Sequence, residues 1–224
     1  MSIKGLIFDF DGLILETEVP LYEIWQDIYH QHGTDLSLPL YARCLGASLE
    51  AFDPLTNLEE VLGGTLPDRE KVLSQFNEDL HTRIFSQPPI PGVVNTLQSA
   101  KRLGLKLAVA SSGDVPWVKG HLERLGLTHF FDHIFTRENV ERVKPAPDLF
   151  IKAQQALGVQ PHEAIVFEDS PNGVTAAKAA GIHCVAVPNL LTAQLDLSHA
   201  DLILQPMDQL PLEGLLARFN GHLA

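Results

Sequence analysis

Hydrophobic positions follow two different regimes along this chain. Ile3-Lys4-Gly5-Leu6-Ile7-Phe8 is a short, mostly apolar run rich in β-branched and aromatic residues, which predicts a buried strand. Past Leu15 the period changes. Leu21, Ile24, Trp25, Ile28 and Tyr29 fall at i, i+3, i+4, i+7 and i+8, one stripe of an amphipathic helix. Thr17 stands where a cap is expected, Pro20 lies in the first turn, and Gly33 closes the helix. Further helices are predicted over residues 40–45, 49–62 and 68–85, with no strand-like run among them. Trp25 reads as core of this helical unit. Pro88-Pro89-Ile90-Pro91-Gly92 then stiffens the chain into a linker.

Beyond the linker the pattern alternates. Strands are predicted at 105–111, 133–136, 164–168, 183–187 and 201–204. Helices fall at 93–103, 115–125, 147–157, 174–180 and 210–219. Such alternation implies βαβ units and an α/β fold, a doubly wound, mainly parallel sheet covered on both faces. The expected organisation is an α/β core of residues 1–15 and 90–224, with residues 16–89 inserted as a small all-helical domain.

Composition narrows the partners. Of 224 residues, 45% are apolar, enough for a substantial core, and the formal charge is −12. Nucleic acid and anionic membrane need basic surfaces, so neither is expected as a partner. An anionic substrate would need local help from a metal ion or a well-placed lysine. The two cysteines, Cys44 and Cys184, form no Cys-x-x-Cys pair. That fits a reducing, cytoplasmic setting, with Cys184 a small buried hydrophobe. Asp9 and Asp11 interrupt any apolar signal core at the N-terminus, and no run reaches the roughly 18 to 20 apolar residues of a membrane span. The acidic surface favours a soluble monomer.

The chemistry collects where strands end. The first ends in Asp9-Phe10-Asp11-Gly12, and Gly12 permits the chain to turn. The second ends in Ser111-Ser112-Gly113-Asp114. Lys144 lies between the next strand and its helix, and a later strand ends in Glu168-Asp169-Ser170. In a parallel sheet all four sets share one edge, where open α/β sheets bind ligands. Two unit charges about 4 Å apart repel by roughly 4 kcal/mol at an effective dielectric near 20, so clustered carboxylates raise their pKa values or bind a cation. Oxygen-only ligands suit Mg²⁺, often with substrate phosphate. Mg²⁺ and Lys144 would supply the positive charge that a phosphoryl group requires, and Ser111 at a helix start suits phosphate oxygens.

Asp9-Phe10-Asp11-Gly12, Ser111, Lys144 and Glu168-Asp169 resemble the four ordered motifs of the haloacid dehalogenase-like hydrolases. The Asp-Phe-Asp-Gly-Leu-Ile opening, the helical insert after it and the Glu-Asp-Ser-x-Asn-Gly stretch resemble the β-phosphoglucomutase-like subgroup, over nearly the whole chain. The resemblance implies a Rossmann-like core, a helical cap and a phosphatase acting on a small phosphorylated metabolite, such as a sugar phosphate. It implies Asp9 as nucleophile, forming an aspartyl-phosphate, and Asp11 as general acid and base. It implies Mg²⁺ held by Asp9, the Asp11 backbone carbonyl and Asp169, with Glu168 a direct or outer ligand. Ser111, Ser112 and Lys144 would hold the phosphoryl group.

Alternatives stay open. The nearest is a phosphomutase, but true β-phosphoglucomutases carry a cap histidine where this chain has Leu21, and no arginine answers to their substrate-gripping one in the loop after Leu45-Gly46-Ala47-Ser48. The family's dehalogenases lack the second aspartate. Its phosphonate hydrolases need a cap lysine, and the insert holds only Lys71. A phosphoacceptor signalling domain would carry its aspartate on a later strand. A non-catalytic binding protein on the same scaffold is the last alternative. Arg43, Asp114 and Trp117 are lesser candidates for substrate contact.

Overall fold

The computed structural model describes residues 2–43, 45 and 52–221. Six strands form one sheet: β1 Gly5–Phe8, β2 Lys106–Ala110, β3 His133–Phe135, β4 Ala164–Glu168, β5 His183–Ala186 and β6 Leu202–Ile203. Their order is β3-β2-β1-β4-β5-β6, and every pairing is parallel. The first strand of the sequence is therefore central. Its register sets Phe8 beside Val109 on one side and Phe167 on the other.

Side chains on successive strand residues point to opposite faces, and here both faces are buried. Leu6, Phe8, Leu107, Val109, Ile165 and Phe167 belong to one core cluster. It is covered by α5 Val93–Arg102, α6 Val115–Arg124 and α9 Leu212–Phe219. Ile7, Ala108, Val166 and Cys184 belong to the other, under α7 Asp148–Leu157 and α8 Pro171–Ala179. Double winding explains why these strands read as unbroken apolar runs. Cys184 is buried as expected, whereas Cys44 lies outside the described residues.

Between β1 and α5 the described elements are four helices: α1 Glu18–Gln31, α2 Leu38–Tyr41, α3 Pro54–Leu62 and α4 Arg69–Ile84. They share a third cluster built on Ile24, Trp25, Ile28 and Tyr29 of the stripe read from the sequence. Tyr29 Oη donates to the Pro54 carbonyl at 2.7 Å, tying α1 to α3. The chain leaves and re-enters the α/β part side by side. Leu15 bridges Pro89, and the Ile90 N–H donates to the Ile14 carbonyl at 2.9 Å.

Element ends differ from the sequence pattern in identifiable ways. α2 stops at Tyr41 rather than 45. α3 starts at Pro54, where Asp53 caps it by accepting from the Leu55 N–H at 3.1 Å and proline suits a first helical position. Residues 46–51, with the expected start at 49, lie outside the described residues, as does the loop after Leu45. Thr17 precedes α1, but its side chain makes no capping bond. Among the described residues no helix is long and apolar enough to cross a membrane.

Phe150 is fully buried in the α7–α8 cluster. Phe150→Ala should lower unfolding stability by about 3 to 5 kcal/mol. Urea denaturation checks this: the midpoint falls while the slope stays unchanged.

Candidate active site

All strands being parallel, their carboxyl ends meet at one edge, and the predicted residues meet there too. Asp9 follows β1 and is buried. The chain then turns through Gly12, whose φ of 75° is left-handed and whose missing side chain leaves room for the Asp169 carboxylate. Ser111 follows β2, and its Oγ accepts from the Gly113 N–H at 2.9 Å. Lys144 sits in the loop before α7 and is only 1% exposed. Glu168 ends β4, where its carboxylate fills the space that a side chain at residue 173 would need; only glycine fits there.

Lys144 Nζ donates to Asp9 Oδ1 and, at 2.7 Å, to Glu168 Oε1. The other Glu168 oxygen accepts from the Asp169 N–H at 2.9 Å, the Ser170 N–H at 2.8 Å and Ser170 Oγ at 3.0 Å. Both of its oxygens are thus engaged, and Glu168 anchors Lys144. Burial opposes a charged Lys144, yet Asp9 and Glu168 raise its pKa well above the usual lysine range. Burial foremost, then the nearby Glu168 and Asp11 charges, push Asp9 up to about 7 against the pull of Lys144. Asp169 is pushed well above the carboxylate range by burial, then by Glu168, Asp9 and Glu18.

These groups fit a hard divalent cation. Asp9, Glu168 and Asp169 each place one carboxylate oxygen within 4.8 Å of the others. Asn189 Nδ2 orients Asp169 by donating to Oδ2 at 3.1 Å. The donor set is all oxygen, as Mg²⁺ requires. The Asp11 carboxylate stands outside this cluster. Its Oδ1 accepts from Trp117 Nε1 at 2.8 Å and from Thr17 Oγ1 at 3.0 Å, while Oδ2 lies 3.4 Å from Ser111 Oγ. Burial raises its pKa, against these donors.

A cavity of about 600 Å³ opens onto Asp9, Asp11, Ser111, Ser112 and Lys144, with Glu18, Leu21 and Tyr41 contributed by the helical insert. Ser112 Oγ is buried with no hydrogen-bond partner among the described residues. Five of the seven site residues read from the sequence therefore face one space, while Glu168 and Asp169 are buried and do not line it.

Three contacts were missed. Thr17, expected to cap α1, spends its hydroxyl on Asp11. Trp117, a lesser candidate, is bonded to the same carboxyl. Asn189 follows β5, and that strand-end position was its available signal. Of the other lesser candidates, Asp114 caps α6 by accepting from the Trp117 N–H at 2.9 Å. Arg43 lies over the Phe52 ring, away from the cavity.

The family model of the haloacid dehalogenase-like hydrolases matches residues 6–187. The chain belongs to that family. The YhcW protein of Bacillus subtilis is 44% identical over 98% of this chain and 99% of its own length. The phosphorylated carbohydrates phosphatase of Thermotoga maritima is 31% identical over 80% of this chain and 82% of its own. The crystal structure of CbbY from Rhodobacter sphaeroides in complex with phosphate superposes with a TM-score of 0.75, at 27% identity, over 95% of this chain and 99% of that one. The enzyme class expected from the sequence, a phosphatase of haloacid dehalogenase-like type, stands.

A carboxyl whose pKa is raised on folding binds its proton more tightly in the folded chain. For Asp9 this contribution therefore falls as pH climbs from about 4, the unfolded value, to about 7. A cation bound by the ionised form offsets that loss. The gain in melting temperature from Mg²⁺ over chelator should accordingly grow between pH 5 and pH 8. Differential scanning fluorimetry reads it, and a gap that does not change with pH would refute the assignment.

Proposed function

We propose that this chain is a Mg²⁺-dependent phosphatase that hydrolyses a small phosphorylated metabolite, of the sugar-phosphate class, through an aspartyl-phosphate on Asp9. One observation carries the reading: a buried carboxylate held by a buried ammonium, with a second carboxyl two residues on, facing the same cavity. Asp9 attacks phosphorus in line, and its O–P bond forms as the bond to the leaving oxygen breaks. Asp11 gives that oxygen a proton, then takes one from the water that cleaves the Asp9–phosphorus bond. Lys144, Ser111 and Ser112 hold the phosphoryl oxygens, Lys144 also keeping Asp9 in place. Mg²⁺, when bound by Asp9, the Asp11 carbonyl and Asp169, supplies the remaining positive charge. Residues 16–89 act as a cap that excludes bulk water.

The substrate class rests on the Thermotoga maritima relative's name and the phosphate of the CbbY complex. Hydrolysis is favoured over mutase chemistry because Leu21, which neither donates nor accepts a proton, lines the cavity. Cytoplasmic location and a monomeric state remain part of the proposal.

Phosphate release from a panel of sugar phosphates, with Mg²⁺ and with chelator, tests this reading. Isomerisation of β-glucose 1-phosphate without phosphate release would replace it by the mutase. Asp9→Asn should abolish both turnover and the acid-stable phosphoenzyme. Asp11→Asn should keep Mg²⁺ binding, measured calorimetrically, while kcat drops by something like 10² to 10⁴-fold.

A further inference from the structure

The two oxygens of the Asp11 carboxyl are not equivalent. Oδ1 accepts from Trp117 Nε1 at 2.8 Å and from Thr17 Oγ1 at 3.0 Å. Among the described residues Oδ2 meets only Ser111 Oγ, at 3.4 Å, long for a hydroxyl hydrogen bond. An indole N–H is a donor in every state and can never accept. An oxygen facing it must therefore stay an acceptor, whether Asp11 is ionised or neutral. Thr17 Oγ1, donating to the same oxygen, takes its second lone pair, so the proton of neutral Asp11 falls to Oδ2.

Trp117 is itself held firmly. Its backbone N–H donates to Asp114 Oδ1 at 2.9 Å, in the first turn of α6. Its ring packs edge-on against buried His121, 4.4 Å between centroids. Thr17 is fully buried ahead of α1 and is absent from the cavity wall. The carboxyl is thus clamped between the insert's first helix and a core helix.

We propose that Trp117 is a positioning residue for proton transfer, holding Asp11 by Oδ1 so that Oδ2 exchanges the proton with the leaving oxygen and later with water. This rests on the acid–base reading of Asp11 above. As the Asp9 O–P bond forms, the bond pair of the breaking P–O bond stays on the leaving oxygen, which takes the Oδ2 proton and departs as a neutral hydroxyl compound. Oδ2 then recovers a proton from the attacking water as the Asp9–phosphorus bond breaks, and inorganic phosphate leaves.

A misplaced acid matters most when the leaving oxygen is strongly basic. Phenyl phosphate and p-nitrophenyl phosphate have similar shapes, but p-nitrophenolate departs readily without a proton. We would measure kcat/KM for both, with Mg²⁺, in wild type and Trp117→Phe, which keeps a ring and removes the N–H. The variant should lose about tenfold more on phenyl phosphate, a fraction of the 10² to 10⁴ that a placed acid supplies. Equal losses would make Trp117 merely structural and overturn the proposal. Thr17→Val should repeat the asymmetry without touching substrate, and Thr17→Ser, which keeps the hydroxyl, should restore most of it. This pair carries the test if Trp117→Phe fails to fold by circular dichroism, and indifference of the pair would overturn the proposal equally. Wild type that cleaves neither these esters nor any sugar phosphate of the panel would instead remove the phosphatase reading, an outcome distinct from a flat ratio in an active enzyme.

Discussion

A buried ammonium between two buried carboxylates is the constraint from which the site follows. Strands β1 and β4 run in register, so the residues just past Phe8 and Phe167, Asp9 and Glu168, emerge side by side. Two ionised carboxylates in that position repel strongly in a medium poorer in water than the surface. Lys144 resolves the conflict by donating to both, and Phe150 packs beneath it with the ammonium 4.8 Å from its ring centre. Removing Lys144 would leave two buried carboxylates facing each other without their cation, the costliest loss of the three. Glu168 surrenders its second oxygen to backbone and Ser170 donors, so the negative charge left for chemistry concentrates on Asp9 and Asp169.

The second carboxyl obeys a different rule. Asp11 lies beyond the sheet, just before the turn at Gly12, and its two closest donors are Thr17, just ahead of α1, and Trp117 in α6. One aspartate is locked by an ion pair, the other by neutral donors. Neutral donors orient a carboxyl without holding it permanently ionised, which suits the acid–base role proposed for Asp11. Burial assists by favouring the protonated form.

The alternation of strands and helices was legible because a doubly wound sheet buries both faces, leaving long apolar runs punctuated by turns. The strand-end residues were legible for the same reason: a carboxylate beside a core strand is expensive and calls for an explanation. Thr17 was hidden because a helix cap was a sufficient local role for it, and Trp117 was read toward substrate rather than toward Asp11. Their shared target, Asp11, is 106 residues from one and 6 from the other. Glu168 shows a second limit. Whether a carboxylate beside a lysine serves a cation or the lysine depends on ångström-scale placement that residue order does not encode. Asp53-Pro54 was an available start signal for α3 that the apolar pattern alone did not pick out.

Leu15 and Pro89 face one another across an antiparallel bridge, so the ends of the 73-residue excursion between them sit roughly 5 Å apart. To the sheet, that excursion is a closed detour. Its length barely affects the entropy of closing the chain, since each doubling adds only about 0.6 kcal/mol. Helices between those two points can be lengthened, shortened or exchanged without displacing Asp9 or Lys144, and Thr17 is the nearest place where such an exchange would be felt. With the roles proposed above, recognition and bond cleavage can diversify at different speeds within one polypeptide.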